Sequence, residues 1–363
     1  MKYVFLDSNT FFNHWHLNNA DLTLLANFIK NSQSILLASE LVCEEVQNLH
    51  QREQSRVMAD LRKYYEIAQR FNKEKTPHSF DSLLQPYDFK KVLKEKMEFV
   101  ESFGYENISQ KAVTARAIAR TLPFREKEKG YRDTLIWLSL LEFLKTKKET
   151  DSVAFINQNS NDFYNSEGKD FHDDLARDLK SHNITCSIKV YPSLNAFIKG
   201  EVETNEYEFS HRNIEEQFIE PISTDIESEI KEYLDHLPTM DFKKLLDSSG
   251  IHFRYISTLT GHSFEMLEGM EDGQVLSYKR LSANELYINY RFNLRRCEIL
   301  FTITESEYLS HKSGIELFYH DVYMAEDEGY MIYYCRPDFT VNFIYNTETE
   351  SISGLEILKL GFM

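Results

Sequence analysis

Residues 129–163 read KGYRDTLIWLSLLEFLKTKKETDSVAFINQNSNDF. An acid heads an apolar helix, a short apolar strand follows, and a polar loop then ends in a second acid. Leu135, Ile136, Leu138, Leu141 and Leu144 occupy most of the helix circumference, which predicts a buried helix rather than a surface one. Val153 to Ile156 predicts a buried strand whose loop carries Asn157, Asn159 and Asp162, with Phe163 packed behind it. The opening residues share the design: Lys2 to Leu6 is a short apolar strand, and the next residue is Asp7. A third acid lies in ASELVCEEVQNL, where Glu45 precedes Val46 and Ser39 stands at the N-cap position of the predicted helix.

Outward from these stretches, Leu22, Leu25, Ala26 and Ile29 predict a returning helix, and Ile35 to Ala38 a second strand. The helix carrying Glu45 extends to about Phe71. Residues 72–128 exceed what a crossover needs. Pro77 and Pro86 break this stretch, Tyr87 to Phe103 reads as a helix with Val92, Leu93, Met97 and Val100 inward, and Ile108 to Arg120 reads as another. They predict a helical elaboration over the cleft. Phe171 to Leu179 predicts a further helix and Cys186 to Tyr191 a last strand. Strand and helix alternate throughout, so the expected fold is α/β with a parallel sheet and helices on both faces.

In such a sheet, Asp7, Glu45, Asp133 and Asp162 converge at the carboxyl edge of the strands. Crowded carboxylates repel unless a cation neutralises them, and Mg²⁺ or Mn²⁺ prefers oxygen ligands. An acid in a helix's first turn is also favoured by the helix dipole, which is the bland account of Asp133.

The chain here resembles the PIN-like nucleases, on Asp7 in the opening strand, Glu45 in LVCEEV, Asp133 in GYRDTLIW and Asp162 in FINQNSNDF. The resemblance covers about residues 1–195. It implies a divalent-metal-dependent nuclease, in which Asp7, Asp133 and Asp162 coordinate one or two Mg²⁺ or Mn²⁺ ions and Glu45 completes the site. RNA is favoured over DNA as substrate, because many such relatives cleave RNA, several as bacterial toxins or in defence against phage. Asn159 stands where many relatives carry a further acid. That departure keeps a second reading open: a catalytically inactive member that binds nucleic acid or serves as a scaffold. Glu44 and Glu45 both fit the helix, and the family pattern selects Glu45. A haloacid-dehalogenase-type phosphatase also begins with a strand ending in Asp, but needs an acid two residues later, where this chain has Asn9.

Asn9 shares a side with Asp7 if the segment is extended, and either orients an attacking water or shapes a turn. Arg116 and Arg120, four residues apart, share a helix face and either contact phosphate or face solvent. Arg125, Lys127, Lys129 and Arg132 follow just before Asp133. Lys129 and Arg132 are the candidates to hold a substrate phosphate. Asp170, Asp173 and Asp174 with His172 lie on a helix whose apolar residues are Phe171, Leu175 and Leu179, so they are expected to face solvent.

At 363 residues and 42% apolar, the chain can bury a full core and divides into two domains, expected at residues 1–200 and 201–363. No apolar run is long enough to span a membrane and no leader pattern opens the chain, so a cytoplasmic protein is expected. The net charge of −17 is unevenly placed: residues 1–200 hold 28 Lys and Arg against 27 Asp and Glu, whereas residues 201–363 hold 13 against 31. Residues 52–148 carry 21 basic and 14 acidic side chains, an excess that can use counterion release on nucleic acid. Cys43, Cys186, Cys297 and Cys335 form no C-x-x-C pair, which predicts buried thiols and no zinc site.

After an acidic linker to about Pro221, Ile222 to Leu246 reads as helical with a break at Pro238. From Val275 the pattern has period two: ELYINYRFNL, CEILFTIT, IELFYHDVYMA, YMIYYC, FTVNFIYN and LEILKL predict about six strands in an antiparallel meander, with Thr304 to Gly314 as a turn. This smaller α+β domain shows no catalytic constellation, and its charge repels nucleic acid. It is expected to bind a protein partner, self-associate, or regulate the first domain.

Overall fold

The computed structural model describes residues 1–71, 80, 83–124, 129–165, 167–202, 219, 222–248, 255–325 and 327–362. The chain forms two units, Met1–Val202 and Glu203–Met363.

In the first unit, β1 (Lys2–Leu6) lies at the centre of a five-stranded parallel sheet ordered β3-β2-β1-β4-β5. The flanking strands are β2 (Ile35–Ser39), β3 (Val100–Phe103), β4 (Ser152–Ile156) and β5 (Ser187–Tyr191). Central parallel strands are covered on both faces and therefore read as continuous apolar runs. Accordingly KYVFL and SVAFI are almost wholly buried, whereas the edge strand SIKVY is half exposed. Phe5 on β1 stacks on Phe155 of β4, centroids 5.1 Å apart.

The helices are α1 (Ala20–Ser32), α2 (Glu40–Gln69), α3 (Phe89–Lys96), α4 (Gln110–Ala119), α5 (Tyr131–Leu144), the single turn α6 (Ser160–Phe163), α7 (Asp173–Ser181) and α8 (Leu194–Glu201). α5 is the buried helix its sequence predicts. Its Trp137 is fully enclosed and meets Phe155, Phe163 and Phe171. Phe163 is the core anchor of the loop after β4.

The expected helix from Tyr87 to Phe103 is corrected. α3 ends at Lys96, Met97 already has extended dihedrals, and Val100–Phe103 pairs parallel with β2 as the edge strand. The stretch therefore extends the sheet rather than forming only a helical cover. Of the break residues, Pro77 lies outside the described residues.

In the second unit, α9 (Ser223–His236) and α10 (Thr239–Ser248) separate at Pro238 and supply Ile226, Ile230, Leu234, Phe242 and Leu246 to the core. The sheet holds β6 (Gly261–Arg280), β7 (Glu285–Thr304), β8 (His320–Ala325), β9 (Glu328–Cys335), β10 (Pro337–Asn346) and β11 (Ser351–Phe362), all antiparallel to their neighbours. It is not a simple meander. ELYINYRFNL and CEILFTIT are one strand of 20 residues, β7, continuing through Arg295 and Arg296. β6 runs along one edge of β7, while β10 takes the first half of the other edge and β9 the second. The expected turn from Thr304 to Gly314 is instead the start of α11 (Glu305–Phe318), whose first turn is capped by Thr304 Oγ1 accepting from the Glu307 N–H at 3.3 Å. The cysteines are free thiols, and the register sets Cys297 directly opposite Cys335.

Candidate active site

Asp7 follows β1, and its N–H donates to the Ile156 carbonyl at 3.2 Å, so the ladder to β4 continues one residue past the strand. Glu45 lies in the second turn of α2, which starts where β2 ends. Asp162 lies in the single turn beyond β4. Asp133 is in the first turn of α5, whose entry is shaped by Gly130 at φ 94°. A Cβ there would sit 2.0 Å from the Pro123 carbonyl oxygen, so both the dihedral and the close approach require glycine. Adjacent strands in the order β2-β1-β4 end side by side, which gathers these acids along one sheet edge.

Asp7 is 3% exposed. Burial, then the charge of Asp133, then that of Glu45, push its carboxyl up to about 7, against hydrogen bonds from the backbone of Ser8 and Asn9 that favour the ionised form. Three acids from three separate elements therefore share one electrostatic neighbourhood. Asn9 Nδ2 donates to Asp7 Oδ2 at 3.2 Å, although the segment is a 3-10 turn rather than an extended strand. Asp162 accepts from the side-chain amide of Asn159, whose own N–H is held by Asn157 Oδ1 at 2.7 Å. Tyr164 ties this loop to β5, donating to the Tyr191 carbonyl at 2.9 Å and accepting from the Asn157 N–H at 3.0 Å.

The two candidate glutamates part company. Glu44 is exposed and accepts from the Tyr105 hydroxyl at 2.9 Å, whereas Glu45 is the one that Asp7 feels and that pairs with Arg132. Lys129 is exposed one residue before Gly130. Arg116 and Arg120 differ in setting. Arg120 is exposed and leaves α4 in the left-handed conformation at φ 52°, while Arg116 is half-buried, pairs with Asp178 at 2.6 Å and donates to the Leu122 carbonyl. Asp178 also accepts from Trp137 Nε1 at 2.8 Å, and Asp174 accepts from the Leu122 N–H at 3.0 Å. Arg116 and these aspartates thus bind α4, α5 and α7 together and brace the segment that meets Gly130. Asp174 is structural rather than solvent-facing in role. Arg125 and Lys127 lie outside the described residues.

Whether these residues suit a divalent cation can be judged from their donors. Among the described residues no group of three or more His, Cys, Asp or Glu side chains is arranged to hold a metal ion. Glu45 pairs with Arg132, and Asp162 accepts from Asn159. The donor chemistry nevertheless fits a hard cation, since the edge is lined by carboxylate oxygens. Buried polar atoms without a hydrogen-bond partner belong to residues next to these acids or at the same strand ends: Thr10 Oγ1, Ser39 Oγ, Thr134 Oγ1 and Asn157 Nδ2. Ser39 occupies the N-cap position but its hydroxyl makes no capping bond. Unsatisfied buried polar atoms are few in folded proteins and call for an explanation. A bound ion with its waters supplies one. Thr10 and Thr134 went unnoticed in the sequence, where the only signal was their position beside Asn9 and Asp133.

Residues 4–163 match the family model of the PIN domain. No curated protein and no solved structure matches the chain.

Proposed function

Taking as premise that the N-terminal unit is a PIN domain, a fold of nuclease type, we propose that the protein is a divalent-metal-dependent endonuclease, acting on RNA in preference to DNA. The observation that carries this reading is the placement of Asp7, Glu45 and Asp162 at the ends of the neighbouring strands β1, β2 and β4, with Asp133 close enough to Asp7 that, after burial, its charge and that of Glu45 raise the Asp7 carboxyl; a cation there would relieve that repulsion. Asp7, Asp133, Asp162 and Glu45 would hold Mg²⁺ or Mn²⁺. The chemistry such an ion supplies when bound is activation of water and stabilisation of charge on the phosphate.

The chain's own groups do the rest. Phe163 and Tyr164 fix the Asp162 loop, Gly130 fixes the head of α5, and Asn9 holds one oxygen of Asp7. Arg132, whose side chain is 70% exposed, swings from Glu45 to a substrate phosphate, with Lys129 beside it. The acidic second unit guides or restrains the first through a protein partner or self-association, and the toxin or phage-defence role of similar nucleases is the biological setting this reading favours.

A second reading is an inactive nucleic-acid-binding scaffold. It is favoured by one observation, that Glu45 and Asp162 already have the partners Arg132 and Asn159.

Cleavage of labelled single-stranded RNA, single-stranded DNA and duplex DNA, with Mn²⁺, Mg²⁺ or EDTA, separates the readings when run beside Asp133→Asn. The enzyme reading expects cutting that needs metal and disappears in the variant. Cutting that survives Asp133→Asn overturns the site assignment.

A further inference from the structure

Past Asp7 and Glu45, the two chain segments that supply these acids run into a group of aromatic rings. Five residues beyond Asp7 stands Phe12, 42% exposed, with its centroid 5.7 Å from that of Trp15 and the rings nearly perpendicular. Trp15 meets His50 edge-to-face at 5.4 Å, and His50 stacks on Tyr87 at 3.8 Å. His16 adds an exposed edge 5.9 Å from Tyr87. His50 is five residues beyond Glu45, about 7.5 Å further along α2.

The group is rigid. The Tyr87 hydroxyl donates to the Trp15 carbonyl at 2.8 Å, and Gln47 clamps both the Tyr87 carbonyl and the Phe89 N–H. Burial and then the charge of His16 hold His50 below the ordinary histidine range. His50 Nδ1 is buried without a hydrogen-bond partner. Trp137 is enclosed, whereas Phe12, Trp15, His50 and Tyr87 remain partly open to solvent. One cation completes the picture. Arg52 follows Glu45 by seven residues, within about 20° of the same line on the helix surface, and is exposed with no ion pair among the described residues.

We propose that Phe12, Trp15, His50 and Tyr87 form a base-stacking subsite for single-stranded nucleic acid, with Arg52 holding a phosphate of the same strand. The inference rests on the nuclease reading and gives that site a substrate class: an unpaired strand whose bases lie on rings beside the cleavage edge. Every base has a π face, so the subsite tolerates sequence but excludes duplex, whose bases are already stacked.

The chain has two tryptophans, and Trp137 is fully buried, so quenching of emission by an oligonucleotide reports on Trp15. The experiment titrates the full-length protein in EDTA with a single-stranded RNA dodecamer, the same oligomer bearing abasic residues, and duplex RNA. Affinity is read in parallel by anisotropy. The expected result is quenching by the single strand alone, and a roughly 5- to 100-fold loss of affinity in Phe12→Ala, restored in Phe12→Tyr. Arg52→Gln is expected to lower the slope of log affinity against log salt by about 0.7. Equal binding of the abasic oligomer, or wild-type affinity in Phe12→Ala, overturns the subsite. Cleavage of the same oligomers with Mn²⁺ keeps the two ideas apart. Cutting that is indifferent to the rings removes the subsite alone, and ring-dependent binding without any cutting removes the nuclease alone.

Discussion

Arg132, in the first turn of α5, pairs with Glu45 on α2, and the two differ sharply in exposure: 70% for the arginine side chain against 11% for the glutamate. An exposed cation thus sits over a largely enclosed carboxylate. Surface pairs of this kind contribute about 0–1 kcal/mol, so the pair is easily exchanged for a better cation. Arg132→Gln is therefore expected to leave thermal stability nearly unchanged while Mn²⁺ binds several-fold more tightly by calorimetry. An unchanged or weaker Mn²⁺ affinity would remove Glu45 from the metal site.

Asp7 is buried among like charges, so its ionised form costs the fold stability. Asp7→Asn is expected to raise stability in EDTA at pH 8 by about 1–3 kcal/mol and to abolish cleavage. Urea unfolding in EDTA measures the first effect. A destabilised variant would mean that the carboxylate is held mainly by its backbone hydrogen bonds.

Arg116 and Asp178 join three helices behind the site. The pair is partly buried, and Asp178 also accepts from Trp137, so Asp178→Ala should cost about 1–3 kcal/mol. The Arg116 guanidinium is engaged by Asp178 and the Leu122 carbonyl. Arg116→Lys should therefore lower stability, read as the unfolding midpoint, without changing the salt dependence of nucleic-acid binding; a changed slope would return Arg116 to the substrate.

Glu201 closes the end of α8 over the sheet edge. Burial favours its neutral form, but the ammonium groups of Lys189 and Lys2 and the Tyr191 hydroxyl outweigh burial and hold its carboxyl down to about 2. Because the folded state keeps this acid ionised below the range of the unfolded chain, its contribution is complete above about pH 4.5. It is lost as the pH falls toward 2. Glu201→Gln should flatten that part of the stability profile in acid unfolding followed by circular dichroism. A profile as steep as the wild type would assign the acid transition to other carboxylates.

Phe163→Ala tests the anchor of the Asp162 loop. Truncating a fully buried phenylalanine is expected to cost about 3–5 kcal/mol, and loosening the loop should weaken Mn²⁺ binding as well. Full Mn²⁺ affinity in a destabilised but folded variant would show that Asp162 is placed without it.

The parts of this molecule that sequence made legible are those where one local pattern has one outcome. KYVFL and SVAFI are apolar runs too short for helices and too continuous for half-exposed strands, so Asp7 and Asp162 could be put at strand ends. α5 declared itself by apolar residues all round. VESF did not, because four residues after an amphipathic helix look like its last turn; only pairing with β2 makes them a strand. In the second unit, Thr304 and Glu307 carry the spacing of a helix start, a signal masked by the β-rich text around it. β6 was hidden by Gly269 and Gly273 and by its charges, and two arginines disguised β7 as two strands. The ring group could not be read at all, since residues 12, 15, 50 and 87 meet only in the folded chain.

The two-sided pairing of β7 has a consequence for how the chain can be shortened. A cut after β9 would leave the helices and β6 in place, yet would uncover the half of β7 that β10 protects. That half, ELYINYRFN, would become an open template for any other strand. Shortened forms of this protein are therefore expected to precipitate rather than merely loosen, and the last two strands act as a chaperone for their own domain.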